Sequence, residues 1–98
     1  MDLGTAIKTI RKRKGITARE LAIMTEISAN AMCSIENNKA FPAKATINKI
    51  CKALNIPPAY LLFFSITDED LPAKSQALFK ALYNPLKEVL LKDINTNK

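Results

Sequence analysis

Thr17 and Ser28 both read as helix N-caps, and only ten residues separate them. Thr17-Ala18-Arg19-Glu20 is a capping box: the Thr17 hydroxyl accepts from the third helical amide, and the Glu20 carboxylate reaches back to the cap. Leu21, Ala22 and Met24 then supply a short apolar face, which limits this helix to about two turns. Thr25-Glu26-Ile27 is left as a tight connection. Ser28 opens a second helix through Glu36, with Met32 and Ile35 turned inward. The spacing therefore dictates two short helices joined by a three- to four-residue turn.

Helical periodicity continues on both sides of this pair. Leu3, Ile7 and Ile10, with Ala6 beside them, predict a helix over residues 3–14. Lys8, Arg11, Lys12, Arg13 and Lys14 crowd its last turns, where cations complement the helix dipole, and Gly15 supplies a left-handed stop. Asn37-Asn38 ends the helix that Ser28 opens, because Asn is the best non-glycine residue for a left-handed cap. After Phe41-Pro42, the stripe Ile47, Ile50, Cys51, Leu54 predicts a helix over 44–54, closed by Asn55. Pro57-Pro58 opens a short fifth helix carrying Tyr60, Leu61 and Leu62. Phe63-Phe64-Ser65-Ile66 is the one stretch where a short strand competes.

Composition breaks at Thr67-Asp68-Glu69-Asp70, an acidic, polar hinge. Pro72 opens a sixth helix through Tyr83, with Leu78, Phe79, Ala81 and Leu82 apolar. Asn84-Pro85 reads as a restart, Asn as cap and Pro at the first helical position. A seventh helix follows, with Leu86, Val89, Leu90 and Ile94 on one face, and residues 95–98 are expected to fray. The fold class is all-α. Residues 1–66 form one unit and residues 67–98 a helical extension of about two helices.

Composition narrows the function. The 98 residues contain no His, which removes His-based acid–base chemistry and most catalytic zinc sites. Cys33 and Cys51 form no C-x-x-C pair, so a zinc ribbon or disulfide framework is excluded, and two reduced thiols in a cytoplasmic protein are expected. No metal, no cofactor and no catalytic residue is expected: there is no Gly-rich phosphate loop and no nucleophile–base pair. The longest apolar run, around Tyr60 to Ile66, is far short of the roughly 20 residues of a membrane span. Charge at Lys8 argues against a signal peptide. The net charge of +6 is uneven: residues 1–67 hold ten basic and four acidic side chains, residues 68–98 five of each. The whole excess sits where a polyanion would be met.

Two short helices with the second starting at Ser28 suggest helix-turn-helix geometry. The residues also resemble a family. Leu21-Ala22, Ile27-Ser28, Met32, Ile35-Glu36-Asn37 and Lys39 follow the pattern of the lambda-repressor and Cro-like, XRE-type regulators. Ile7, Ile10-Arg11 and Lys14-Gly15 resemble that family's first helix; Pro42, Ile50, Ala53-Leu54 and Ile56 its fourth helix and exit. The resemblance covers about two-thirds of the chain and implies a five-helix DNA-binding domain whose third helix enters the major groove of double-stranded DNA. It also implies base-reading positions at Ser28, Ala29, Asn30, Cys33 and Ser34, and phosphate positions at Arg19, Asn37, Lys39 and Lys44, with Ser28 close to phosphate as well. The chemistry agrees at Asn30, whose amide pairs bidentately with adenine, and at Ala29, which can touch a thymine methyl.

Three departures from the family pattern carry expectations. Glu26 stands where the family usually has Gly, so the turn is expected to be strained or differently shaped. Ala18 stands where many members carry a phosphate-binding Gln. The third helix has no Arg or Lys before Lys39, so nothing on it makes a guanine fork, and A·T-weighted or shape-based recognition is expected. Lys12, Arg13 and Lys14 read as a solvated helix end or as a phosphate clamp. Cys33 reads as a groove-facing residue, with a redox-sensing role as the rarer alternative.

The neutral extension carries more apolar side chains than two short helices can bury between themselves. Leu78, Leu82, Leu86 and Leu90 are expected to form a homodimer interface; capping of the chain's own core is the other reading. The functional expectation is a sequence-specific transcriptional repressor acting as a homodimer. The alternative is an antitoxin that binds its own promoter while another surface neutralises a toxin; a third reading, which the Arg-free third helix allows, is a protein-interaction module that has lost DNA binding.

Overall fold

The computed structural model describes residues 1–96 and the side chains through residue 94. Six α-helices follow one another: α1 (Leu3–Arg13), α2 (Ala18–Met24), α3 (Ala29–Glu36), α4 (Lys44–Leu54), α5 (Pro58–Ser65) and α6 (Gln76–Thr96). Two 3-10 turns, Asp68–Asp70 and Ala73–Ser75, occupy the link between α5 and α6. Every described element is helical, as the sequence pattern requires. Of the stretch 95–98 expected to fray, residues 95 and 96 form the last residues of α6, and residues 97 and 98 lie outside the described residues.

The stops are chemical. Gly15, Asn38 and Asn55 each take a left-handed backbone, at φ 71°, 59° and 55°. Pro57-Pro58 starts α5 at fixed φ. The stretch 63–66 is not a strand: α5 runs through Ser65, whose hydroxyl donates back to the Leu62 carbonyl at 2.7 Å. A turn of helix satisfies that buried hydroxyl locally, where an unpaired strand would not.

α1 is the central strut, packing on α5, α3 and α6. Leu3, Ala6, Ile7 and Ile10 meet Leu21 and Ala22 of α2, Met32 and Ile35 of α3, Ile50, Cys51 and Leu54 of α4, and Leu61 and Phe64 of α5 in one core. Leu91 and Ile94 of α6 belong to the same core, and Leu90 packs against it. Removing a side chain as well enclosed as Ile7 or Ile50 would cost about 2–5 kcal/mol, a large part of such a domain's stability.

The extension differs from expectation in two respects. The helix expected to open at Pro72 begins only at Gln76, after the 3-10 turn Ala73–Ser75. α6 does not restart at Asn84-Pro85; it runs for 21 residues with Pro85 inside. A proline in a helix interior removes one hydrogen-bond donor and strains the preceding turn. Packing on both sides offsets this. N-terminal to Pro85, Tyr83 stacks on Phe79 at 4.8 Å and on Phe63 of α5 at 4.6 Å between ring centres. C-terminal to it, Leu90, Leu91 and Ile94 dock on the core. The link is tied down as well: Lys80 pairs with Asp68 at 2.9 Å, and Gln76 donates to the Asp68 carbonyl. The result is a helix apolar on two faces. Phe79, Tyr83, Leu91 and Ile94 face the body, while Leu78, Leu82, Leu86 and Val89 stand between 48% and 67% exposed.

Candidate nucleic-acid interface

The α2–turn–α3 unit is built from its caps inward. Thr17 accepts from the Glu20 amide at 3.0 Å and Glu20 accepts from the Thr17 amide at 2.9 Å, closing the capping box. These bonds to the charged form hold the Glu20 carboxyl below its ordinary pKa. Thr25 is buried, and its hydroxyl donates to the Leu21 carbonyl at 2.7 Å, so the end of α2 carries no orphan hydroxyl. Glu26 takes φ 58°, the left-handed backbone in which a side chain is strained by about 1 kcal/mol or more. The Ile27 amide returns to the Ala22 carbonyl at 2.9 Å, and Ser28 caps α3 by accepting from the Ala31 amide at 3.1 Å.

Because Met32, Ile35 and Glu36 face inward, Ala29, Asn30, Cys33 and Asn37 face out. This outward row is small and uncharged. Asn37 donates through Nδ2 to Cys33 Sγ at 3.2 Å, linking two residues of the row. Ser34 is half-buried, and its carbonyl accepts from the amides of Lys39 and Ala40, pinning the loop after α3. Cys33 is exposed; Cys51 is buried, which pushes its thiol pKa up and leaves it unreactive.

Three contacts fix α3 from behind, and sequence reasoning did not single them out. Arg11 and Glu36 form a buried two-pronged ion pair, Nε to Oε2 at 2.8 Å and Nη2 to Oε1 at 3.0 Å, and Arg11 Nη1 donates to the Ile16 carbonyl. Gly4 lies against the C-terminus of α3 so closely that a Cβ there would sit 2.5 Å from the Glu36 carbonyl oxygen and 2.6 Å from that of Ile35. Asn38 accepts from the Gly4 amide at 2.9 Å and donates to Asp2 Oδ1 at 2.6 Å. The Asn38 amide, and then the Thr5 backbone, hold the Asp2 carboxyl below its ordinary pKa. The ion pair did leave a trace in the sequence. Arg11 falls four positions after Ile7 and Glu36 four after Met32, so each charge interrupts the inward face of its own helix.

Cations border the outward row. Lys8, Ala18, Arg19, Ala29, Cys33, Glu36 and Asn37 line an open cleft of about 420 Å³. Arg19, Ala29, Cys33 and Asn37, placed in one site by the sequence, are thereby brought together. Lys39 and Lys44 follow in the chain, both exposed, the latter at the start of α4. From Asn37 to Thr67 the chain has four Lys and no Asp or Glu. Ala43, the N-cap of α4, makes no side-chain cap bond, leaving the first amides of that helix without one. Of the four leucines expected at a dimer interface, Leu78, Leu82 and Leu86 are exposed, while Leu90 is half-buried against the core.

Comparison with known proteins agrees with this geometry. A family model described as helix-turn-helix domain matches residues 4–63. The chain is 34% identical over 63 residues to the HTH-type transcriptional repressor RghR of Bacillus subtilis, covering 63% of this chain and 47% of that protein. It is 36% identical over 55 residues to the HTH-type transcriptional regulator SutR of Escherichia coli, covering 56% of this chain and 31% of that protein. The chain thus spans less than half the length of these curated relatives. Among solved structures, the clp gene regulator ClgR of Corynebacterium glutamicum superposes with a TM-score of 0.64 at 28% identity, over 96% of this chain and 92% of that one.

Proposed function

The chain belongs to the helix-turn-helix domain family as an XRE-like regulator, and from that membership we propose that it represses transcription as a homodimer bound to a twofold-symmetric operator. One observation carries the reading: a rigidly backed α3 presents a neutral outward row that shares a cleft with Lys8 and Arg19, and exposed Lys39 and Lys44 follow it in the chain. Asn30 pairs with adenine, Ala29 meets a thymine methyl, and Ser28, Cys33 and Ser34 complete the base-facing set. Arg19, Asn37, Lys39 and Lys44 hold phosphates. No Arg or Lys reaches guanine from α3, so recognition is A·T-weighted, and phosphate contacts and duplex shape contribute much of the affinity.

Residues 1–66 read DNA in this proposal, and residues 67–98 join two copies. The support is the second apolar face of α6, through Leu78, Leu82, Leu86 and Val89, on a segment with no net charge. Pairing there sets two α3 helices about 34 Å apart, one helical turn of DNA. Such a role places the protein with the chromosome, in the cytoplasm.

Selection of bound duplexes from random DNA with the full chain tests the proposal. The expected outcome is an A·T-weighted inverted repeat whose affinity falls with salt, at a log–log slope of about −0.9 per phosphate contact. No enrichment, or enrichment of single half-sites by a chain that sediments as a monomer, refutes it. The apolar face of α6 then becomes the surface on which an antitoxin would seat its toxin.

A further inference from the structure

Phe41 stands 69% exposed in the loop between α3 and α4. An aromatic ring in water forgoes a large burial gain, which a partner that covers it would supply. The fold does hold it. Asn38 takes its left-handed turn against Gly4, and the amides of Lys39 and Ala40 both donate to the Ser34 carbonyl, at 2.8 and 3.3 Å. Pro42, the next residue, is buried. A residue before proline is confined to extended backbone. The root of the ring is therefore fixed on both sides before any partner arrives.

Its surroundings point to a polyanion. Ala40 and Ala43 flank the Phe41-Pro42 pair, with Lys39 and Lys44 beyond them, and no carboxylate occurs in the sequence between Glu36 and Asp68. Protein-docking patches are contiguous apolar areas. Along the chain this is one ring between small residues and positive charge. Next to it the α4 N-terminus lacks a side-chain cap.

The position relative to α3 supplies the rest. α3 has eight residues and is about 12 Å long, close to the width of the major groove. Chain leaving its C-terminus in a groove-bound complex lies over a phosphate ridge. Phe41 comes five residues after Glu36, and the Lys39 and Ala40 amides bonded to the Ser34 carbonyl keep it close to that end of α3, at the ridge that borders the next minor groove. We propose that Phe41 is an apolar wedge that enters the minor groove beside the half-site, bends the duplex there and selects a deformable base step. The proposal rests on the DNA-binding reading above. Lys39 and the N-terminus of α4 with Lys44 hold the phosphates on either side of the ring. Apolar wedges at such a place unstack a step and kink the duplex, and pyrimidine–purine steps yield most easily.

The test uses the full chain and a duplex recovered by selection, with dyes at both ends to report bending and 2-aminopurine at the flanking step to report unstacking. Phe41→Ala should leave the thermal midpoint unchanged, weaken binding about tenfold and abolish both signals. It should keep the preference at the base pair that Asn30 reads. Phe41→Leu should retain most of the bend. Replacing the flanking step by a stiff A-tract should weaken the unsubstituted chain about tenfold and the Phe41→Ala chain hardly at all. Equal binding and bending by Phe41→Ala overturns the wedge. So does a loss seen on the full operator but not on an isolated half-site, because Phe41 would then touch the second protein copy. Failure of the unsubstituted chain to bind any duplex overturns the DNA-binding reading itself, and the wedge with it.

Discussion

Glu36→Ala removes one half of a buried, two-pronged ion pair and leaves the other half in place. Arg11 is 8% exposed and Glu36 5%, so neither charge has water to fall back on. Breaking such a pair costs about 3–5 kcal/mol, because the remaining guanidinium keeps its desolvation penalty without its partner. For a chain of this size, total stability is about 5–15 kcal/mol, and each kcal/mol moves the midpoint by about 4–8 °C. A drop of at least about 12 °C is expected. Glu36→Gln keeps the shape and one acceptor and should fall between the two. The double replacement Arg11→Met with Glu36→Leu removes both charges together and should recover most of the loss, since apolar replacements of buried pairs are often neutral or stabilising. Only the Arg11 contact to the Ile16 carbonyl is then forfeited, and Ile16 is half-buried, so water can replace it. Urea unfolding followed by helical circular dichroism compares the parent with all three variants. A cost below about 1 kcal/mol for Glu36→Ala would mean the pair is screened like a surface one, and the argument that it backs α3 would fail.

Gly4→Ala should destabilise by about 2 kcal/mol or more, because the added carbon would lie 2.5 Å from a backbone carbonyl that cannot rotate away; a melting midpoint within 2 °C of the parent refutes this. Glu26→Gly relieves a side chain held at φ 58° and should stabilise by about 1 kcal/mol, read by the same urea titration. Leu82→Glu puts a carboxylate on the outer face of α6 at a residue 66% exposed; with the proposed dimer, sedimentation should show the parent as dimers and this variant as monomers, with the melt of the monomer unchanged. The Asp2 carboxyl is held below its ordinary pKa by Asn38 and the Thr5 amide, so its contribution is complete above the unfolded value of about 3.9 and is lost as pH falls through the lowered folded value. Asp2→Asn should lower stability at neutral pH and change it little at the acid end, where the carboxyl is already protonated, so the acid limb of the stability–pH curve flattens; an unaltered acid limb would show that Asp2 gains nothing on folding.

Most helix limits and the outward row of α3 were legible in the sequence, because both depend on interactions within a few residues. The Thr17–Glu20 capping box, the Ser28 cap and the left-handed Gly15, Asn38 and Asn55 are set by residues at most four apart. The direction of Ala29, Asn30 and Cys33 follows from Met32 and Ile35 by helical period alone. The strain at Glu26 was visible for the same reason: a turn of this length fixes its backbone whatever residue fills it. Contacts between distant segments left far weaker marks. Arg11 meets Glu36 across 25 residues, and the closeness of Gly4 to Ile35 and Glu36 exists only once α1 is laid across the end of α3. Pro85 gives the clearest case. By local rules Asn84-Pro85 ends a helix, since proline removes a donor and crowds the turn before it. Stacking of Tyr83 on Phe63 and docking of Leu91 and Ile94 in the core hold both halves of α6 to one body, and tertiary packing outweighs the single lost bond. That same docking decides which apolar residues of α6 are spent inside the chain and which, from Leu78 to Val89, remain on its surface.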